Sequence, residues 1–171
     1  SQQGKNAGTW RTANTPLDFC TGNAVYTHPA LSTDGSMMIF SSNKQGAGGF
    51  DLFLTRKSGD KWSDPENLGN VINTKSNEMF PALDSANNLY FSSDGHPGLG
   101  GKDIFFSRMK GGKWLTPVRL DPPVNSQADD FALITDPLGN SGYFSSNRDN
   151  SIDIYRFNSV YPQIFYAELQ K

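Results

Sequence analysis

KWSDPENLGNVIN, Lys61–Asn73, returns 52 residues later as KWLTPVRLDPPVN, Lys113–Asn125. A third tryptophan, Trp10 in TWRTANTPLD, stands 52 residues ahead of the first of these. Equal spacing of so bulky a residue marks an internal repeat, and a repeat outranks any local pattern in reading a fold. Other text recurs at close to the same step. Paired serines follow an aromatic in IFSSN (39–43), YFSSD (90–94) and YFSSN (143–147). An aspartate opens an apolar run at Asp51 (DLFLTR), Asp103 (DIFFSR) and Asp153 (DIYRF), and Arg56, Arg108 and Arg156 follow at similar offsets.

Each copy resolves into four short apolar runs. Strand A is HPALS, FPALD or FALIT; strand B is MMIFSS, NLYFSS or GYFSS; strand C begins at the aspartate; the tryptophan segment supplies a short strand D. Turn residues separate the runs: the chain has 17 glycines and 10 prolines, and no window shows a 3.6-residue apolar period. Four antiparallel strands in a period of about 40 to 50 residues are the signature of a β-propeller blade. The expected fold is all-β, with about three blades over residues 1–158. The boundaries are the end of one blade (9–27) and copies at 28–79, 80–130 and 131–158; residues 159–171 read as an exit segment or linker toward a following domain. Propellers close with about four to eight blades. The chain is therefore expected to belong to a longer propeller, or to complete its ring as a homodimer.

Bulk composition excludes several functions. With 171 residues and a net charge of −2, and with Lys and Arg scattered singly, no basic face is offered to nucleic acid. No apolar stretch is long enough to span a bilayer. The single cysteine, Cys20, rules out an internal disulfide and a cysteine-based zinc cluster. A first residue of Ser rather than Met suggests processing or excision from a larger chain.

The glycine-rich loops raise the question of phosphate binding. GHPGLGGKD (95–103) lacks the spacing of G-x-x-x-x-G-K-[ST], its Lys102 is followed by Asp103, and a strand follows instead of a helix. KQGAGGFD (44–51) has the same shape. Both therefore read as B–C hairpins, with Gly48, Gly49, Gly100 and Gly101 expected to supply positive φ. Asp51, Asp103 and Asp153 could ring a channel and hold a cation; the simpler expectation is that each caps turn amides in its own blade. The serine pairs lack a G-x-S-x-G elbow and read as strand-bonding hydroxyls. His28 and His96 have no metal-ligand spacing, and Asp129 and Asp130, adjacent on a strand, point apart and make a poor acid–base pair. Trp10, Trp62 and Trp114 read as inter-blade core rather than sugar platforms. No catalytic residue, metal site or cofactor is expected. Contact surfaces are expected on the B–C loops, over 45–50, 96–102 and 148–151, with Gln45, Phe50, His96, Leu99, Lys102, Arg148 and Asn150 as candidates.

The text P-A-L-S-x-D-G, F-S-S-N, G-x-G-G-x-D-L-F, W-S-x-P-x-N-L-G and I-N-T resembles the WD40-like (PD40) propeller repeat of TolB. It is still more similar to the version in Bacteroidetes envelope proteins of the OmpA family. The resemblance covers about residues 9 to 157, and NRDNSID in the third copy departs from it. It implies a non-enzymatic scaffold module that binds other envelope proteins. The implied address is the periplasmic side of the outer membrane, linked to type IX secretion, with peptidoglycan reached through other domains. The alternative is a glycan-, peptide- or cation-binding propeller, hydrolytic in its extreme form.

Overall fold

A computed structural model describes residues 16–44 and 49–159; Trp10, Gln45, Gly48 and most of the exit segment lie outside the described residues. Blade 1 contains β1 (Tyr26–Leu31), β2 (Met37–Ser42), β3 (Asp51–Ser58), β4 (Lys61–Trp62) and β5 (Glu66–Asn67). Blade 2 contains β6 (Glu78–Leu83), β7 (Leu89–Ser93), β8 (Asp103–Ser107), β9 (Met109–Lys110), β10 (Lys113–Trp114) and β11 (Val118–Arg119). Blade 3 contains β12 (Asp130–Thr135), β13 (Ser141–Ser146) and β14 (Asp153–Asn158). The sheet orders are β1-β2-β3-β5, β6-β7-β8-β11 and β12-β13-β14, all antiparallel. These are propeller blades, and the A, B and C runs of the sequence are their first three strands.

The tryptophan-bearing segments supply strand D, at β5 and β11. Trp62 and Trp114 lie earlier in those segments, in two-residue arms that pair with the end of β3 and with β9. Pro65 and Pro117 separate the two pieces; without an N–H, proline cannot continue the ladder.

The blades stack face to face. β2, β7 and β8 are buried along their whole length, as expected of strands covered on both sides. Met37, Ile39, Leu52, Leu54 and Ile72 of blade 1 meet Leu89, Phe91 and Phe105 of blade 2, with Trp114 packed against them. Tyr90, Ile104, Phe106 and Leu120 of blade 2 meet Leu133 and Phe144 of blade 3. On the other face of blade 1, Phe19 joins Met38, Phe40 and Phe53, and Trp62 packs there. Trp114 thus packs between two sheets, and Trp62 packs on the far face of blade 1.

Every first strand carries a β-bulge. Residues 28–29, 80–81 and 132–133 each oppose a single residue of strand B. His28, Phe80 and Ala132 have φ of 50°, 53° and 54°, a left-handed conformation costing about 1–2 kcal/mol in a non-glycine residue. Neighbours offset that cost. The His28 ring lies 4.1 Å from Phe80, Phe80 lies 5.4 Å from Phe131, and the Ala132 N–H donates to Ser92 Oγ of blade 2. Burial holds the His28 imidazole below its ordinary pKa, so it stays neutral beside these rings.

Two buried asparagines lock the D segments. Asn125 Oδ1 accepts from Ile104 N–H, and its Nδ2 donates to the carbonyls of Ile104 and Leu120, all at 2.8 Å. Asn73 does the same for Leu52. Asn125→Ala takes the partner from the Ile104 N–H and the Leu120 carbonyl in the core, while Ile104 O keeps the Leu120 N–H. It should lower unfolding free energy by about 3 kcal/mol, read from the urea midpoint.

The A–B turns are closed by carboxylates. Asp34 accepts from Ser32 Oγ and from the N–H and Oγ of Ser36, and these bonds lower its pKa from 3.8 to about 2. Asp136 is lowered likewise, first by Ser141. A depressed carboxylate stabilises the fold above its unfolded pKa and loses that contribution as pH falls through the folded one. Stability should therefore fall between pH 4 and pH 2, and Asp34→Asn should flatten that slope in urea titrations at the two pH values.

Candidate functional site: the loop-bearing face

The B–C loops and the D–A connections emerge at the same end of the sheets. The B–C loops of blades 1 and 2 each bond to the connection that leads into the next blade. Phe50 N–H donates to Asn77 Oδ1, its carbonyl accepts from Glu78 N–H, and Gly49 N–H donates to Ser76 O. One blade on, Lys102 N–H donates to Asp129 Oδ1, its ammonium lies 3.6 Å from Asp129 Oδ2, and its carbonyl accepts from Asp130 N–H. The loops brace neighbouring blades.

The glycines serve this bracing, and the expected reason for them is corrected. Gly49, Gly100 and Gly101 are absent from the positive-φ positions of the described chain. What they supply is room. A Cβ on Gly100 would stand 1.9 Å from Ala128 O, and one on Gly95 would stand 1.9 Å from Thr74 Oγ1.

The candidate contact residues divide sharply. His96 is not a solvated loop histidine. Its Nε2 donates to Ile72 O at 2.8 Å, and its ring sits 5.1 Å from Phe105 and 5.8 Å from Phe91. Arg148 is held as firmly. Its guanidinium donates to Pro123 O, Val124 O and Asp130 Oδ1, its Nε donates to Ser146 Oγ, and the group lies over Phe144 and Tyr155. Asn150 is exposed in a turn with φ 66°. Leu99 is 42% exposed while its N–H is fixed to Asp103 Oδ2 at 2.9 Å.

Asp103 caps turn amides, its Oδ2 accepting from Leu99 and Gly100 N–H, whereas Asp51 Oδ2 accepts from Asn67 Nδ2 and Asp153 from Ser151 Oγ. The second serine of each pair starts a B–C loop: Ser93 Oγ donates to Glu78 and accepts from Gly95 and His96 N–H. Asp129 and Asp130 point apart, one to Lys102 and the other, fully buried, to Ser126 and Arg148. Glu78 occupies the position of Asp130 one blade earlier and accepts from Thr74 and Ser93. Cys20 is partly buried, and burial pushes its thiol pKa up, so it stays protonated. Among the described residues no His, Cys, Asp and Glu side chains gather in a group of three or more able to hold a metal ion.

Sequence reading missed Arg148 as a brace and missed the three bulges. Pro29 and Pro81 inside strand A were the available signal for the latter, since proline within a strand marks an edge or a bulge.

No protein-family model matches the sequence, and no curated protein does. Solved structures do. TolB from Acinetobacter baumannii superposes with a TM-score of 0.59 at 16% identity, covering 82% of this chain and 31% of that one. A putative TolB from Agrobacterium tumefaciens gives 0.59 at 16%, covering 81% of this chain and 45% of that one. The chain thus spans less than half the length of either. At this identity the likeness concerns the fold: the chain is built from β-propeller blades like those of the TolB structures.

Proposed function

We propose that this chain is a non-enzymatic, protein-binding module of the cell envelope, with the loop-bearing face as its contact surface. One observation carries the reading. At that end Asp94, Lys102, Asp129, Asp130 and Arg148 are engaged in bracing the blades, and Val71, Leu99 and Ile152 stand exposed among them, with Lys44 and Lys75 at the rim. A rigid frame presenting apolar groups suits a preorganised protein interface, where little ordering entropy is lost on binding. The periplasmic, outer-membrane-associated address and the link to type IX secretion rest on the repeat's resemblance to envelope propellers. Peptidoglycan would be reached through other domains of a parent chain.

Leu99→Asp tests the surface without touching the braces. Its stability should stay within about 0.5 kcal/mol of the parent, as for exposed sites generally. Capture of envelope proteins by the immobilised chain should fall by about tenfold or more, the size of an anchor residue's loss. Unchanged capture rejects this face. Calorimetric titration with calcium and with peptidoglycan fragments should give no heat; saturable heat would favour the glycan- or cation-binding alternative.

A further inference from the structure

The C–D hairpins of blades 1 and 2 share a shape and differ in charge. Residues 52–68 carry Arg56, Lys57 and Lys61 against Asp60, Asp64 and Glu66, so the charges cancel. Residues 104–120 carry Arg108, Lys110, Lys113 and Arg119 and no carboxylate. Position by position, Asp60, Asp64 and Glu66 give way to Gly112, Thr116 and Val118, and Asn67 gives way to Arg119. Cations that stand singly in the text are gathered by one short hairpin.

The backbone holds those charges in place. Gly111 and Gly112 have φ of 58° and 77°, the pair of left-handed residues that a two-residue turn of type I′ requires. β9 and β10 flank the turn, with Lys110 directly opposite Lys113 and Met109 opposite Trp114. Trp114 is anchored in the apolar packing between blades 1 and 2, and Leu115 N–H donates to Arg108 O at 2.9 Å. Both lysines are exposed. Like charges directly opposite on neighbouring strands repel, and blade 1 avoids this by placing Ser58 opposite Lys61. Among the described residues, none of Lys110, Lys113 and Arg119 forms an ion pair. The pair of lysines thus has no counter-charge in the described fold.

We propose that the C–D hairpin of blade 2 is a docking site for an acidic segment of a partner protein, whose carboxylates lie against Lys110 and Lys113. Complementary charge fixes register and suppresses wrong partners. Blade 1 limits the footprint, because Asp60, exposed beside the turn of its hairpin, repels carboxylates there. An anionic lipid surface fits less well. It is a plane, and it would meet the whole end of the sheets, where Asp34 and Asp136 close the A–B turns and Asp60 is exposed. A narrow segment can follow blade 2 alone. The hairpin lies at the end opposite the loop-bearing face, so the site is independent of the contact surface proposed above. It joins the last two strands of blade 2, whereas Leu31 ends the first strand of blade 1.

The probe is a fluorescent peptide of alternating glutamate and serine, its anisotropy followed on titration with the full chain. Binding is expected at about 0.01 M salt, where charges act over about 30 Å. It should weaken by about tenfold or more at about 0.15 M, where they act over about 8 Å. Lys110→Glu together with Lys113→Glu should weaken binding by about tenfold or more, with the circular dichroism and melting temperature of the parent. Lys57→Glu together with Lys61→Glu makes the same change in net charge on blade 1 and should alter binding by less than about twofold. A parent chain that does not bind the peptide at low salt overturns the proposal. Equal weakening by the two double variants also overturns it, because the response would then be to net charge alone. Phosphatidylglycerol vesicles that bind the parent and not the blade 2 variant, with no binding of the peptide, would put a membrane in place of the segment and overturn it too.

Discussion

Arg148→Ala should lower the unfolding free energy by about 4 kcal/mol, within the roughly 3–5 kcal/mol expected when a buried ion pair loses one partner. Asp130 is fully buried, and Arg148 lies 2.5 Å from it. Removing the guanidinium leaves that carboxylate with the Ser126 N–H and hydroxyl as its donors, and it also frees the carbonyls of Pro123 and Val124. Urea unfolding at pH 7 measures the loss. Arg148→Lys should recover only part of it, because an ammonium cannot reproduce the fork across two carbonyls and a carboxylate. Asp130→Asn in the Arg148→Ala background should restore some stability, by removing the charge that lacks its partner. A loss below about 1 kcal/mol would show the pair to be surface-like, contrary to its burial.

Gly100→Ala is the second large effect. The added methyl would meet the Ala128 carbonyl at 1.9 Å, and a backbone atom in a braced connection cannot step aside as a flexible side chain can. Overpacking of this kind costs about 1–3 kcal/mol, and the upper end applies here because the B–C loop and the next blade must separate together. Gly59→Ala is the control. Its site has open space but a φ of +61°, so its loss reflects backbone strain alone, about 1 kcal/mol. If the two variants melt alike, the glycines of the B–C loop are needed for conformation and the close-packing account fails.

How much of this was legible in the sequence follows from where each signal originates. The A, B and C strands were legible because burial repeats: Phe40, Phe91 and Phe144 stand at one position of three similar sheets, and the text repeats with them. Strand D was legible as a segment, but which of its residues pair with C was not, because proline splits it and the ladder forms at Asn67 and Arg119 beyond the tryptophan. The Asp103 cap was legible because its partners, the Leu99 and Gly100 amides, lie within four residues. His96, Arg148 and the loop glycines were not. Their partners, Ile72 O, Val124 O and Ala128 O, lie 24, 24 and 28 residues away, toward the next or preceding blade, and no periodicity within one copy reports a contact between two.

The same division explains the candidate site. Charge and glycine content drew attention to loop residues that prove to be internal braces. Leu99 and Val71 stand out only once their exposure is known. The measurement that tests the contact face most directly is site-specific photocrosslinking in envelope extract. A benzophenone amino acid would replace Leu99 on the loop-bearing face, or Leu31 at the opposite, A–B-turn end. Protein adducts at Leu99 and none at Leu31 are the expected result. Equal adducts at both ends, or adducts at Leu31 alone, would contradict the assignment of the loop-bearing face as the contact surface.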